Sequence, residues 1–179
     1  MLQDRISRRY AKSIFDLAIE KNILESLYRE FRELDTIIQQ NRDFYYFLHS
    51  PVISSEKKID ILEKLFRGKA SDVIVNFLIL MTRRKREELL PLIAQDFIDM
   101  YHAYKNITIV EVVSSEHLPK EIRQAIQNKI EATYNTKVQL ISKADPSIIG
   151  GFKLLIGNYI YDLTVNSALR KLKKAVTTA

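Results

Sequence analysis

Apolar positions in the first hundred residues recur every three or four places, and after Lys105 the spacing changes. From Asp4 to Lys21 two adjacent rows, Ile6-Tyr10-Ile14-Leu17 and Ala11-Phe15-Ala18, predict a helix. A stripe that wide exceeds what one neighbouring helix covers, so the helix either lies between two others or leaves one row for something outside the chain. Leu24, Leu27, Phe31, Leu34 and Ile38 form a second, narrower row suited to an antiparallel bundle neighbour. Asn41 caps a short third helix carrying Phe44, Tyr45, Phe47 and Leu48, ended by Ser50-Pro51. Ser54 or Ser55 caps a fourth with Ile59, Leu62, Leu65 and Phe66 inward and Gly68 as its stop. The fifth helix, from about Ser71, reads VIVNFLILM and is apolar around its circumference except at Asn76. Such a helix is either central or half covered from outside. A sixth, about Arg86 to Lys105, tolerates Pro91 in its first turns and buries Leu90, Ile93, Phe97, Tyr101 and Tyr104.

The β-branched run Ile107–Ser115 then predicts a strand. Pro119 opens a helix with the stripe Ile122-Ile126-Ile130, and 137–142 predicts a second strand, parallel to the first through a right-handed crossover. Asp145-Pro146 turns the chain into PSIIGGFKLLIGNYIYDLTVNSALRKLKK, where Gly157-Asn158 is a two-residue hairpin signal. That loop places Ile156 opposite Tyr159, Leu154 opposite Tyr161 and Lys153 opposite Asp162. Phe152, Leu154, Ile156, Tyr159, Tyr161 and Leu163 then share one face that needs covering. Thr164 caps a last helix with the stripe Val165-Leu169-Leu172-Val176. The fold expected is mainly α: a six-helix bundle over 1–105 followed by a small α+β domain over 106–179.

Charge alters this picture little. The net charge of +6 raises the possibility of a nucleic-acid or anionic-membrane partner. Yet 1–105 intermixes 18 basic with 16 acidic residues, and 106–179 has 10 against 6, four of the basic ones near the C-terminus where a helix dipole favours cations. Arg83-Arg84-Lys85-Arg86 lacks interleaved aromatics and runs directly into Glu87-Glu88, as a solvated helix end does. Tyr45-Tyr46 at helical spacing reads as core with phenolic edges in water rather than a base-stacking platform. No segment has the ~18 apolar residues of a membrane span, and MLQDRISRRYAK has no secretory apolar core, so a bacterial cytoplasmic protein is expected.

Candidate chemistry is sparse. The absence of cysteine removes disulfides, thiolate metal sites and cysteine nucleophiles. His49, His102 and His117 are isolated, without metal-ligand spacing. Gly150-Gly151 reads as a sharp entry to the hairpin rather than a phosphate nest. No side chain stands out as acid, base or nucleophile, and neither a cofactor nor a metal is expected. The two unusually apolar helices, first and fifth, point instead to an interaction protein, and side by side they would form a groove lined by Tyr10, Ile14, Leu17, Leu78 and Met81.

GGF-x4-G-x4-D-x-T-x4-L-x2-L, carried by Gly150, Gly151, Gly157, Asp162, Thr164 and Leu169, resembles the C-terminal signature of the F-type ATP synthase delta subunit and oligomycin-sensitivity-conferring protein family. Thr164 stands where that family usually has serine. Arg9-Tyr10-Ala11, with Phe15 four residues after the alanine, resembles the family's RYA opening, so the likeness covers nearly the whole chain. The resemblance implies a non-catalytic stator-stalk subunit at the cytoplasmic face of a bacterial membrane, touching the membrane only through its complex. It also implies two partners: the N-terminal helix of an alpha subunit for the bundle, and the C-terminal helices of the b subunits for the second domain. A basic helical RNA-binding factor is the competing reading, separable by its steep salt dependence.

Overall fold

Polar caps cut the first half of the chain into helices of defined length and rotation. The computed structural model describes residues 2–134, 136–157 and 159–177. Its helices are α1 (Leu2–Glu20), α2 (Leu24–Gln40), α3 (Arg42–His49), α4 (Ser55–Phe66), α5 (Asp72–Arg83) and α6 (Leu90–Tyr104), with a 3-10 turn, Glu87–Leu89, leading into α6. Asn41 Oδ1 accepts from Phe44 N at 3.0 Å to start α3, Ser54 rather than Ser55 caps α4, and Ser71 Oγ accepts from Ile74 N to start α5. Two helix ends close through a left-handed residue other than glycine. At α1 it is Asn22 (φ 55°), with Ile23 N donating to Ala18 O at 2.9 Å; at α5 it is Lys85 (φ 54°), with Arg86 N donating to Met81 O at 2.9 Å.

These helices form a compact unit, Met1–Tyr101. All five residues of the α2 row are buried. Phe31 is its hub: its ring stacks on Phe97 at 4.2 Å between centroids and meets Phe77 edge-on at 6.0 Å, while Phe15 meets Phe97 at 5.5 Å. Helices α1, α2, α5 and α6 thus share one aromatic centre, each such pair adding about 0.5–1.5 kcal/mol beyond its buried area. At its edge Tyr101 donates to Glu25 Oε2 at 2.6 Å, and burial together with that carboxylate pushes the phenol pKa up to about 12. Tyr104 is exposed instead of buried, because it lies past the last turn that packs on the bundle. Leu65 is exposed as well, and Tyr45 and Tyr46 are largely in water, not core. His49 stacks on Tyr45 at 4.1 Å, and Arg42 lies over Tyr46.

The remainder forms a second unit, His102–Ala179, so the division falls in the last turns of α6. Strands β1 (Ile107–Ser114), β2 (Lys137–Ala144), β3 (Gly151–Ile156) and β4 (Tyr159–Thr164) make a sheet of order β2-β1-β3-β4, with α7 (Lys120–Tyr134) crossing from β1 to β2. Strand β2 is parallel to β1, and β3 runs antiparallel to both β1 and β4. The hairpin register is Ile156 with Tyr159, Leu154 with Tyr161 and Lys153 with Asp162, as the Gly157-Asn158 turn signal predicts. Asn158 itself lies outside the described residues. Val110, Val112, Ile130 and Val138 are the core, with Ile126, Phe152, Leu154 and Ile156 packed on it; Ile122 is exposed.

Two expectations change here. The shared hairpin face is covered only on β3, since β4 lies at a sheet edge; Tyr159, Tyr161 and Leu163 stay exposed, with Tyr161 meeting α7 through the Tyr134 hydroxyl. Helix α8 (Val165–Thr177) begins as predicted, with Thr164 Oγ1 accepting from Ser167 N at 3.2 Å, yet Val165 and Leu169 are exposed, Leu169 at 59%. Leu172 and Val176 lie outside the residues whose side chains are described.

Candidate functional site

The first helix buries one of its two rows and leaves the other partly open. Ala11, Phe15 and Ala18 are fully inside, whereas Tyr10 and Leu17 are half-buried and Ile14, at 5% exposure, is the floor of a groove. Helix α5 forms the opposite wall through Val73, Asn76, Phe77 and Leu80, which share one face at spacings of three and four. With Ser13 and Lys21 these residues enclose an open cleft of about 430 Å³ whose surface is mostly apolar.

Leu78 and Met81, expected in the lining, do not take part: both are fully buried. The rotation of α5 explains it. Ser71, which caps the helix, is itself held by Glu30 at 2.6 Å, and that anchor turns Ile74, Leu78 and Met81 into the bundle. Leu78 then sits about 200° around the helix from Leu80, on the opposite side. The sequence pattern therefore points to the two helices that line the cleft but to the wrong face of one of them. A helix this apolar carries little signal for which face is open; Asn76, the one polar residue between Val73 and Met81, points to the exposed side.

One end of the cleft is charged. Arg86, two residues beyond the C-cap of α5, donates from Nη1 to Tyr10 Oη at 3.2 Å, with its guanidinium carbon 5.7 Å from the Tyr10 ring centroid. The Lys85 turn aims it there, a left-handed conformation that costs a non-glycine residue about 1–2 kcal/mol.

A second constellation was not expected from the sequence. Lys58, in the first turn of α4, is buried, its Nζ 2.5 Å from Glu87 Oε1 and 2.9 Å from Leu48 O. This buried pair ties α4 to α3 and to the turn before α6. Nothing local reveals it, because Lys57-Lys58 looks like any solvated helix start and its acceptor is 29 residues away.

In the second unit Gly151, Gly157, Asp162 and Thr164 of the signature hold local backbone geometry. Gly151 has φ 77°, and a Cβ there would collide with Leu163 O, so the diglycine lets β3 begin tight against β4. Gly157 has φ 56° at the hairpin turn. Asp162 Oδ1 accepts from Thr164 N and Thr164 Oγ1, at 3.0 and 2.7 Å, fixing the strand-to-helix corner. Between α7 and the uncovered hairpin face lies an apolar recess of about 260 Å³, lined by Ile126, Ile130, Phe152, Tyr161 and Leu163 among others. Tyr134 and Tyr161 share a hydroxyl hydrogen bond at its rim. Among the described residues no group of three or more His, Asp or Glu is placed to hold a metal ion, and no helix is long and apolar enough to cross a membrane.

The helical unit thus carries an open apolar groove, and the small sheet unit that follows it in the chain carries an uncovered apolar face. The family model for the ATP synthase delta (OSCP) subunit matches residues 6–176. The ATP synthase subunit delta of Cytophaga hutchinsonii is 32% identical over 177 residues, 99% of this chain and 97% of that one. That of Syntrophomonas wolfei is also 32% identical, over 180 residues, covering 100% of this chain and 98% of its own. A chain of the Toxoplasma gondii mitochondrial ATP synthase hexamer, solved by cryo-electron microscopy, shares the fold with a TM-score of 0.74 at 24% identity, over 96% of this chain and 97% of that chain. The chain belongs to the ATP synthase delta (OSCP) subunit family, whose members are non-catalytic components of the peripheral stalk, a peripheral part of the membrane complex.

Proposed function

We propose that this chain is the stator adaptor of a bacterial F-type ATP synthase, joining the catalytic head to the b subunits at the cytoplasmic face of the membrane. The α1–α5 groove takes the amphipathic N-terminal helix of an alpha subunit. The recess between α7 and the hairpin takes the C-terminal helices of the b subunits. The work is mechanical: the head is kept from turning with the central stalk, so that proton transport remains coupled to ATP synthesis. The observation carrying this reading is an open cleft lined mostly by apolar side chains, in a chain that matches the family over nearly its full length. Apolar side chains left half in water on a helix pair are anchors awaiting an apolar stripe at i, i+3, i+4 and i+7.

The test is calorimetric titration of the full chain with two probes, a synthetic peptide of the cognate alpha-subunit N-terminus and a soluble C-terminal fragment of the b subunit. Both bind, and each binds whether or not the other is already bound. Binding of neither overturns the assignment. A chain that instead binds RNA, with affinity falling steeply between low and physiological salt, is the basic helical factor described as the competing reading.

A further inference from the structure

The helical unit holds another cavity, polar where the cleft between α1 and α5 is apolar. It measures about 450 Å³ and is bounded by the loop between α3 and α4, the first turn of α4 and the turn from α5 into α6. The two share no lining residue. The buried pair Lys58–Glu87 belongs to the lining of the polar one, and only half of the Glu87 carboxylate is satisfied. Oε1 accepts from Lys58 Nζ, whereas no donor among the described residues reaches Oε2, in a side chain whose residue is 8% exposed. A buried acceptor left without a donor is costly to a folded chain.

Helix α4 supplies the opposite hydrogen-bonding sense. Ser54 Oγ accepts from Lys57 N, which leaves the helix's first two N–H groups, those of Ser55 and Glu56, without an acceptor among the described residues. Ser54, Ser55 and Glu56 all line the cavity. Formal charge around it nearly cancels. Lys58 and Glu87 neutralise each other, and one exposed cation, Lys85, stands with two exposed acids, Glu56 and Glu88. An anion there meets three carboxylates, and a cation meets two ammonium groups and the positive end of the α4 dipole. A neutral group carrying both a donor and an acceptor meets neither penalty. Water is such a group, but the same wall has an apolar loop: Pro51 and Ile53 line the cavity, and Val52 between them is 90% exposed. Apolar surface beside paired polar groups favours a polypeptide.

We propose that this cavity binds a carboxamide of a partner polypeptide, either an Asn or Gln side chain or a main-chain amide. Its oxygen accepts from Ser55 N or Glu56 N, and its N–H donates to Glu87 Oε2. The apolar residues that flank it in the partner rest on Pro51, Val52 and Ile53. The site is independent of the helix-binding groove and stands whether or not that groove takes a helix.

The experiment is a nuclear magnetic resonance titration of the full chain, isotope-labelled on its backbone nitrogens and glutamate carboxyl carbons. The probes are the acetylated, amidated tripeptides Val-Asn-Val and Val-Ala-Val, with acetate and methylammonium as charged controls. The tripeptides bind with a Kd of millimolar order, shifting the Ser55 and Glu56 amides and the Glu87 carboxyl together. Equal response to both assigns the main-chain amide, and a stronger response to Val-Asn-Val assigns the side chain. Ser55→Pro removes one N–H at the first helical position, where proline is well tolerated, and weakens binding by roughly 3- to 10-fold without lowering the melting temperature. Ser55→Ala keeps that N–H and binds as the parent does. Tripeptides that leave the Glu87 carboxyl resonance of the parent chain unmoved overturn the proposal, and that readout needs no variant. Acetate or methylammonium producing the same shifts at lower concentration also overturns it, by making the cavity a site for charge.

Discussion

Replacing Leu80 by glutamate separates groove from core. Leu80 is 45% exposed in the free chain, so a docked helix removes about half of its surface from water. Full burial of a leucine is worth about 1.5–3 kcal/mol, which leaves about 1 kcal/mol for Leu80 at the interface. The carboxylate introduced by Leu80→Glu must also be desolvated against an apolar stripe, which brings the expected loss to about 2–3 kcal/mol, or roughly 30- to 150-fold in Kd. In the free chain that carboxylate stays in water and the melting temperature moves by only a few degrees. Ile14→Glu behaves in the opposite way. Ile14 is 5% exposed on the groove floor, and a carboxylate there is buried beside Phe77 and Leu17 with no cationic partner, costing about 4 kcal/mol or more. The assay pairs calorimetric titration of the alpha-subunit peptide with a thermal melt for each variant. A Leu80→Glu chain that melts like the parent and binds the peptide with unchanged Kd refutes the location of the groove. A folded, stable Ile14→Glu chain refutes the description of its floor.

Lys58→Met leaves the Glu87 carboxylate buried without its cation and costs about 3–5 kcal/mol in urea unfolding, most of it recovered by adding Glu87→Gln; equal stability of single and double variants would count against the pair. Gly151→Ala forces a Cβ into Leu163 O and costs about 3 kcal/mol or more, whereas Gly157→Ala, strained only by its φ of 56° with open space around it, costs about 1 kcal/mol; amide exchange of β3 and β4 reads both. Tyr101 keeps its proton in the folded chain to about 12 while the unfolded phenol ionises near 10, so its share of stability is complete below 10 and fades as pH rises toward 12; Tyr101→Phe removes that slope. Glu131, held below its ordinary 4.5 by the Val138 backbone N–H and the Gln127 amide, contributes stability above 4.5 that fades as pH falls through the lowered value, and Glu131→Gln flattens that acid limb.

Where a pattern had one consistent solution, the sequence was enough. The α2 row is narrow and strictly periodic, so one rotation buries it, and all five residues are inside. The hairpin register needed only a two-residue turn, because any slip would exchange the two faces. Where a segment was apolar on every side, several rotations were equally good. Helix α5 is that case, and its rotation is set by the Ser71–Glu30 contact, whose partners are 41 residues apart. Lys58 is the inverse: a residue type rarely buried, made buried by a distant carboxylate and the Leu48 carbonyl. The exposure of Val165 and Leu169 in α8 has a further cause, since amphipathic spacing says which residues share a face and nothing about whether this chain covers it.

That last distinction bears on the two faces proposed here as docking surfaces. A side chain that lines a docking surface cannot also be fully spent on the core of the free chain. Tyr10, Leu17 and Leu80 in the first unit, and Tyr161 and Leu163 in the second, contribute less to folding than their type allows. The loss is offset where the elements meet internally, by the Phe15, Phe31, Phe77 and Phe97 centre in one unit and the valine-rich β1 core in the other. Stability and recognition then draw on different residues of the same two helices. Polar replacement at Leu80 should therefore be nearly neutral for folding, while the same change at Leu78, two positions along the chain and fully buried, removes a leucine from the core and leaves an unmatched polar group there. A comparison of Leu80→Gln with Leu78→Gln measures that division directly. Equal loss of stability at the two sites would mean that α5 is a core helix on both faces, with no side held open for a partner.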